Sequence, residues 1–455
     1  MLEKFFKLKQ NNTNIRTELL AGLTTFSTMA YILAVNPNML ANTGMNSTAV
    51  LIATCLASGI GTIAMALLAN YPFALAPGMG LNAYFTYTVC GTMGYDWKLA
   101  LFIIFIEGLI FIILSVTNVR EAIFNAIPIN LKYGVSAGIG LFIAFIGLQG
   151  AHIIVNSDST LVTYINFAED FNTKGISALL AIIGFFITAI LYHKKVRASL
   201  LLGIFITWIL GMICQLTGIY VPNAEAGFYS LYPSFAITDF STISETFGQC
   251  FNFDFSNVSI INFIVVLFSF LFVDIFDTIG TLVGVSTRAK MLDENNKLPR
   301  IKQALLADAI ATSAGAVLGT STTSTYIESS AGVEVGGRTG LSSFVTAIMF
   351  LLAIFFAPIF TAIPAFATAP VLILVGFLMF SSILNVDFSN LTEAIPAFIC
   401  MLTMPFAYSI AEGIGFGIIS YVIINLFTKN TKKITPIMYV WLTGMVKCKM
   451  ETKSV

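Results

Sequence analysis

Gly319-Thr320-Ser321-Thr322-Thr323-Ser324-Thr325-Tyr326-Ile327-Glu328-Ser329-Ser330 is almost entirely hydroxylic, yet it stands in a chain that is 57% hydrophobic and 10% charged. Ordinary soluble domains carry roughly 25% charged residues. So few charges cannot cover a water-facing surface, and the solvent for most of this chain is lipid. A hydroxylic run cannot face lipid. A second irregular stretch lies far upstream, Ala74-Leu75-Ala76-Pro77-Gly78-Met79-Gly80-Leu81-Asn82-Ala83, where one Pro and two Gly stand in place of a continuous helix. Proline removes a backbone donor and glycine relaxes the chain, so a break is expected there too. Interrupted segments at matching positions of two halves point to a binding site at the membrane midplane, because freed backbone groups survive at that depth only against protein, water or solute.

On either side of these two stretches, apolar runs of about 20 residues recur along the chain, the length that spans a bilayer as a helix. Fourteen spans are expected, beginning near residues 17, 48, 74, 98, 132, 175, 198, 259, 303, 326, 340, 368, 391 and 411. A closed barrel would need period-two alternation, whereas Leu101 to Leu114 is apolar on every side. The first apolar segment, from about Thr17 to Pro37, is longer than a signal-peptide core, so no cleaved targeting sequence is expected. With the first span starting in the cytoplasm, every Lys and Arg except Lys98 and Lys174 falls on the inner side, as the positive-inside rule requires of a correct span count. The expected layout is a cytoplasmic N-terminus (1–16), a first repeat (17–221), an external linker (222–257) without Lys or Arg, a second repeat (258–428) and a cytoplasmic tail (429–455). Seven spans is an odd number, so the second half enters the membrane from the opposite face. The fold class expected is therefore an all-α polytopic membrane protein built as a 7+7 inverted repeat, with discontinuous third and tenth segments. Six scattered cysteines without a C-x-x-C and only two histidines, His152 and His193, support neither a disulfide framework nor a zinc site. No metal or cofactor is expected; the lipid bilayer is the expected environment, and nucleic acid is not an expected partner.

Acids inside the spans carry the chemistry. Asp274 and Asp277 lie three residues apart in the eighth span, on one helical face with Thr278 and Thr281. A charged residue at the bilayer centre costs at least about 2.5 to 3.5 kcal/mol, so such a face points to a cavity or to partners. Asp277 is read as the functional member and Asp274 as a structural hydrogen-bonding group. Asp308 and Glu107 are further buried acids; Glu107 has apolar residues on all sides, and its role stays open. Bland readings stand beside these. Gly and Pro are common in transmembrane helices, and Thr325-Tyr326-Ile327-Glu328 matches a capping box in which Glu328 would only tie down a helix start. No Lys or Arg lies within a span except near its end, so a site lined by acids and an amide disfavours anions. It suits a neutral or cationic solute with several N–H donors, and a carboxylate can also carry a coupling proton.

Three phrases, Ala76-Pro77-Gly78-Met79-Gly80-Leu81-Asn82-Ala83-Tyr84-Phe85, Phe276-Asp277-Thr278-Ile279-Gly280-Thr281-Leu282 and Thr323-Ser324-Thr325-Tyr326-Ile327-Glu328-Ser329-Ser330-Ala331-Gly332-Val333, resemble the AzgA-like guanine/hypoxanthine permeases of the nucleobase–cation symporter superfamily. The likeness runs from about Thr17 to Thr428. It implies a core domain from spans 1–4 and 8–11, a gate domain from spans 5–7 and 12–14, and proton-driven purine uptake with the core moving against the gate like an elevator. Matched motif to motif, the family's substrate-binding acids fall on Asp277 and Glu328, which would also couple the proton, and its third-span amide falls on Asn82, beside Gly80. Thr281 and Tyr326 lie in the same motifs and join the expected substrate site, with Phe276, Tyr84 or Tyr326 as stacking groups. More distant uracil and xanthine carriers have Glu where Asp277 stands and a His-containing phrase near Thr281, a departure that favours guanine, hypoxanthine or adenine. An anion carrier of the same fold is the rival transport reading, and Glu328 argues against it. An intramembrane protease would need motifs that are absent, so no enzyme is expected. A homodimer is left open.

Overall fold

A helix satisfies its own backbone donors and acceptors, which is why uninterrupted apolar stretches take that form in lipid. The computed structural model describes residues 2–116, 127–223, 227–233, 237–255, 258–289, 291–293, 298–435 and 438. Arg120, much of the C-terminal tail, parts of the linker and the side chain of Phe276 fall outside that description. Among the described residues, 11 helices are long and apolar enough to cross a membrane. They are span 1 (Ile15–Ala41), span 2 (Ser47–Ala69), span 4 (Trp97–Val116), span 5 (Ile129–Gly150), span 6 (Phe171–His193), span 7 (Ser199–Leu216), span 8 (within Ile260–Arg288), span 9 (Ile301–Leu318), span 11 (Gly340–Thr361), span 12 (Ala365–Asn385) and span 14 (Ile410–Phe427). Span 13 is the shorter apolar helix Leu391–Phe406. The two interrupted segments complete the series. Span 3 is a strand, β1 (Leu75–Pro77), followed by the helix Met79–Ala83 and a π-helical continuation, Tyr84–Thr92. Span 10 is the strand β4 (Thr323–Thr325) followed by the helix Ser329–Val335. Between them, β2 (Ile154–Ser157) and β3 (Leu161–Tyr164) form a hairpin after span 5.

Two details differ from the expected spans. Span 6 starts earlier than residue 175, because a π-helical turn, Phe171–Gly175, precedes its α-helix. Span 1 is not continuous: it is two helices, Ile15–Met29 and Ile32–Ala41, with a turn at Ala30 and Tyr31. Ahead of Pro37 the chain tightens into shorter bonds, Leu33 N–H to Ala30 O and Ala34 N–H to Tyr31 O, both 3.1 Å.

Spans 1–4 and 8–11 pack mainly on one another, and spans 5–7 and 12–14 do the same. Exchanging each span for the one seven places along maps packing onto packing. Span 2 lies on span 11 as span 9 lies on span 4, span 1 on span 11 as span 8 on span 4, and span 5 on span 13 as span 12 on span 6. The exchange closes on itself at Gly140 of span 5 and Gly376 of span 12. A Cβ on either would lie 2.5 Å from the other's carbonyl oxygen, so neither site has room for a side chain. The architecture is the 7+7 inverted repeat, legible in the packing although the two halves share little obvious sequence. The linker folds over one end of the bundle: Thr246 Oγ1 donates to Leu318 O at 3.0 Å and Thr238 Oγ1 to Ile354 O at 2.8 Å.

Candidate functional site

The two broken segments meet. β1 and β4 pair antiparallel, with Leu75 opposite Thr325, Ala76 opposite Ser324 and Pro77 opposite Thr323. Flanking bonds extend the pairing, from Tyr326 N–H to Ala74 O at 3.0 Å and from Gly78 N–H to Thr322 O at 2.9 Å. Neither segment is helical here, so each supplies the backbone partners that the other lacks. Side chains lock the crossing. Tyr326 O–H donates to Pro77 O at 2.5 Å, Ser329 Oγ accepts from Ala74 N–H at 3.0 Å, and Ser321 Oγ donates to Asn82 Oδ1.

Two carboxylates stand against this crossing, both half-buried. Asp277 of span 8 accepts from Ser324 Oγ in β4 at 2.7 Å through Oδ2. Glu328, at the start of the helix after β4, accepts from Tyr31 O–H at 2.7 Å through Oε1. Among the described residues, no other residue donates to Asp277 Oδ1 or Glu328 Oε2. Each acid is therefore held through one oxygen by a neutral hydroxyl. The capping-box reading of Glu328 does not hold: Thr325 is in the strand, and Glu328 is itself the residue that begins the helix, without a side-chain cap.

The remaining expected residues take different places. Asn82 is wholly buried, and its amide oxygen is engaged by Ser321, so in this conformation it braces the crossing. Tyr326 likewise has its hydroxyl committed to the crossing, and its ring is buried. Tyr84 is buried against Phe270, ring centroids 4.8 Å apart. Thr281 is half-buried one helical turn beyond Asp277. Gly80 faces the other packing group: a Cβ there would lie 2.8 Å from Ile139 Cγ2 of span 5. Asp274 and Asp308 are fully buried and bridged by Thr278, whose hydroxyl lies 3.0 Å from Asp274 Oδ1 and 2.9 Å from Asp308 Oδ1. Glu107, also fully buried, accepts from Thr322 Oγ1 at 2.8 Å, so it supports the broken segment from span 4. Sequence reasoning missed Tyr31 altogether. The signal for it was faint: one phenol in an apolar span, six residues before Pro37.

Comparisons with known proteins give the family of the chain. The permease family profile Xan_ur_permease matches residues 16–416. The guanine/hypoxanthine permease PbuG of Bacillus subtilis (strain 168) is 44% identical over 447 residues, which cover 96% of this chain and 97% of that protein. The adenine permease AdeP of Escherichia coli (strain K12) is 42% identical over 436 residues, 96% of this chain and 93% of that one. Among solved structures, the transmembrane domain of a cyanobacterial bicarbonate transporter, BicA, superposes with a TM-score of 0.62 at 14% identity, covering 89% of this chain and 97% of that one. At that identity the likeness speaks to the fold, and the fold is the same. With a family profile spanning most of its length and relatives above 40% identity end to end, this chain belongs to the permease family of membrane transporters.

Proposed function

We propose that the chain is a secondary active transporter that imports purine nucleobases, guanine, hypoxanthine or adenine, by proton symport across the cell membrane. The observation that carries this reading is the pair of carboxylates, Asp277 and Glu328, each held through one oxygen by a neutral hydroxyl. A purine presents ring N–H groups, and guanine and adenine an exocyclic amine as well, from which such oxygens accept hydrogen bonds. An anion would meet two acids there and no nearby Lys or Arg side chain of the broken segments, so an anion carrier is the weaker reading. The names of relatives more than 40% identical, an adenine permease and a guanine/hypoxanthine permease, support the same solute class.

In this reading Asp277 and Glu328 bind the base, and one of them takes the coupling proton as solute enters. Asn82, Gly80, Thr281 and Tyr326 shape the site around them. Spans 1–4 and 8–11 act as a core that shifts against a gate of spans 5–7 and 12–14, exposing the crossing first to one side and then to the other. Both termini lie in the cytoplasm, on the face where the basic residues collect.

The test is uptake of labelled hypoxanthine, guanine and adenine by proteoliposomes carrying an inward proton gradient. Glu328→Gln replaces an acceptor oxygen by a donor and removes the titratable group. It is expected to abolish accumulation, as is collapse of the gradient. Full accumulation by the variant would remove the site, and accumulation that survives collapse of the gradient would remove the proton.

A further inference from the structure

Buried aromatic donors need an acceptor, and in a helix bundle the ordinary one is a backbone carbonyl. Four buried donors of this chain follow that rule: Tyr326 donates to Pro77 O, Tyr71 to Pro299 O, Tyr220 to Tyr229 O, and the Trp208 indole to Leu231 O. Tyr31 departs from it. Its hydroxyl, buried in the turn that divides span 1, donates at 2.7 Å to Oε1 of Glu328, a residue 297 positions away in the other half of the chain. A second contact ties the same two regions, because Thr28 Oγ1 lies 3.5 Å from the Glu328 carbonyl oxygen. Asn36, in the second helix of span 1, donates to Thr320 Oγ1 at 3.0 Å at the head of the hydroxylic run. The divided first span therefore grips the tenth segment at both ends.

We propose that Tyr31 is a positioning residue of the solute site: its hydroxyl fixes the Glu328 carboxylate so that Oε2 alone is offered to the solute. This rests on the reading of Glu328 as a solute-binding group. A carboxylate on a glutamate rotates about three side-chain bonds, and a single charge-assisted hydrogen bond to one oxygen removes most of that freedom. Without the phenol the carboxylate must be oriented at the moment of binding. The loss then falls on the concentration of solute needed for half-maximal uptake, while the rate at saturation is retained. The turn at Ala30–Tyr31 serves the same end, since it brings the ring out of the regular helical register and toward the helix start at Glu328.

Tyr31→Phe deletes the hydroxyl and keeps the ring, so it isolates the bond from the packing. In proteoliposomes, using whichever of labelled hypoxanthine, guanine or adenine the wild type accumulates, Tyr31→Phe is expected to raise the half-saturating concentration roughly tenfold or more, with an unchanged maximal rate and an unchanged melting temperature in detergent. In a Glu328→Ala background, adding Tyr31→Phe should weaken equilibrium binding of the same base no further, because the oxygen that Tyr31 holds is gone. The proposal is overturned if Tyr31→Phe leaves half-saturation within about twofold of wild type while Glu328→Gln abolishes uptake. It is also overturned if Tyr31→Phe lowers the maximal rate and the melting temperature together at constant half-saturation, the mark of a packing role. Wild-type uptake by Glu328→Gln would fail the solute-site reading itself, and the Tyr31 proposal with it.

Discussion

Gly78 sits where β1 hands over to the helix of span 3, with a backbone (φ −71°, ψ 128°) that any residue adopts. What forbids a side chain is room. A Cβ there would stand 2.8 Å from Ser324 Oγ and 3.2 Å from Asp277 Oδ2, between the two partners of the bond that holds Asp277. Gly78→Ala should therefore act on the site much as Ser324→Ala does, the first by wedging the pair apart and the second by deleting the donor. Both are expected to slow uptake at low solute concentration by about tenfold or more, the weight of a hydrogen bond to a charged group. Initial rates of labelled base uptake for the two variants check this, and rates near wild type in either would mean that Asp277 does not depend on Ser324.

Elements are placed by equally specific contacts. Glu18, in the first helix of span 1, is fully buried and turned toward the start of span 11. It accepts from Arg338 N–H at 2.9 Å, Ser342 N–H at 3.1 Å and Ser342 O–H at 2.5 Å, so one carboxylate supplies the donors of a helix beginning with their acceptor. Glu18→Ala leaves those donors buried and unmatched, and is expected to destabilise the protein by about 1–3 kcal/mol. Unfolding in detergent should show the loss, while uptake per folded molecule stays near wild type. The spans themselves were legible in the sequence, because lipid demands long apolar helices and sorts lysine and arginine to one face. Both interruptions were legible too, from Pro77 and the glycines beside it and from the hydroxylic run. Partners were not. Thr278 bridges Asp274 to an acid 30 positions on, and Thr322 reaches Glu107 across 215 positions, distances over which no local pattern speaks. The divided first span was hidden for a different reason: its turn carries Ala30 and Tyr31, neither of them a helix breaker.

At the scale of the whole molecule, the two packing groups touch along a seam that the proposed movement must cross. Gly80 meets Ile139 there. Tyr408, between spans 13 and 14, packs its ring on Tyr87 at 5.9 Å, Phe142 at 5.3 Å and Phe145 at 6.0 Å, and its carbonyl accepts from Thr88 Oγ1 at 3.0 Å. If the groups slide, Tyr87 and Tyr408 separate in every cycle. Cysteines at these two positions, in a background without the six native ones, should stop uptake when joined by a short thiol cross-linker and recover it when a reducible linker is cleaved. Undiminished uptake in the joined protein would exclude the sliding. The strand pair has a further consequence, one for how the protein is made. Residues 75–77 find their strand partner in residues 323–325, so the nascent chain holds an unfinished segment while everything between them is synthesised and inserted. A first half expressed by itself has nothing on which to close that segment, whereas two separately translated halves, meeting in the same bilayer, have everything needed to complete it.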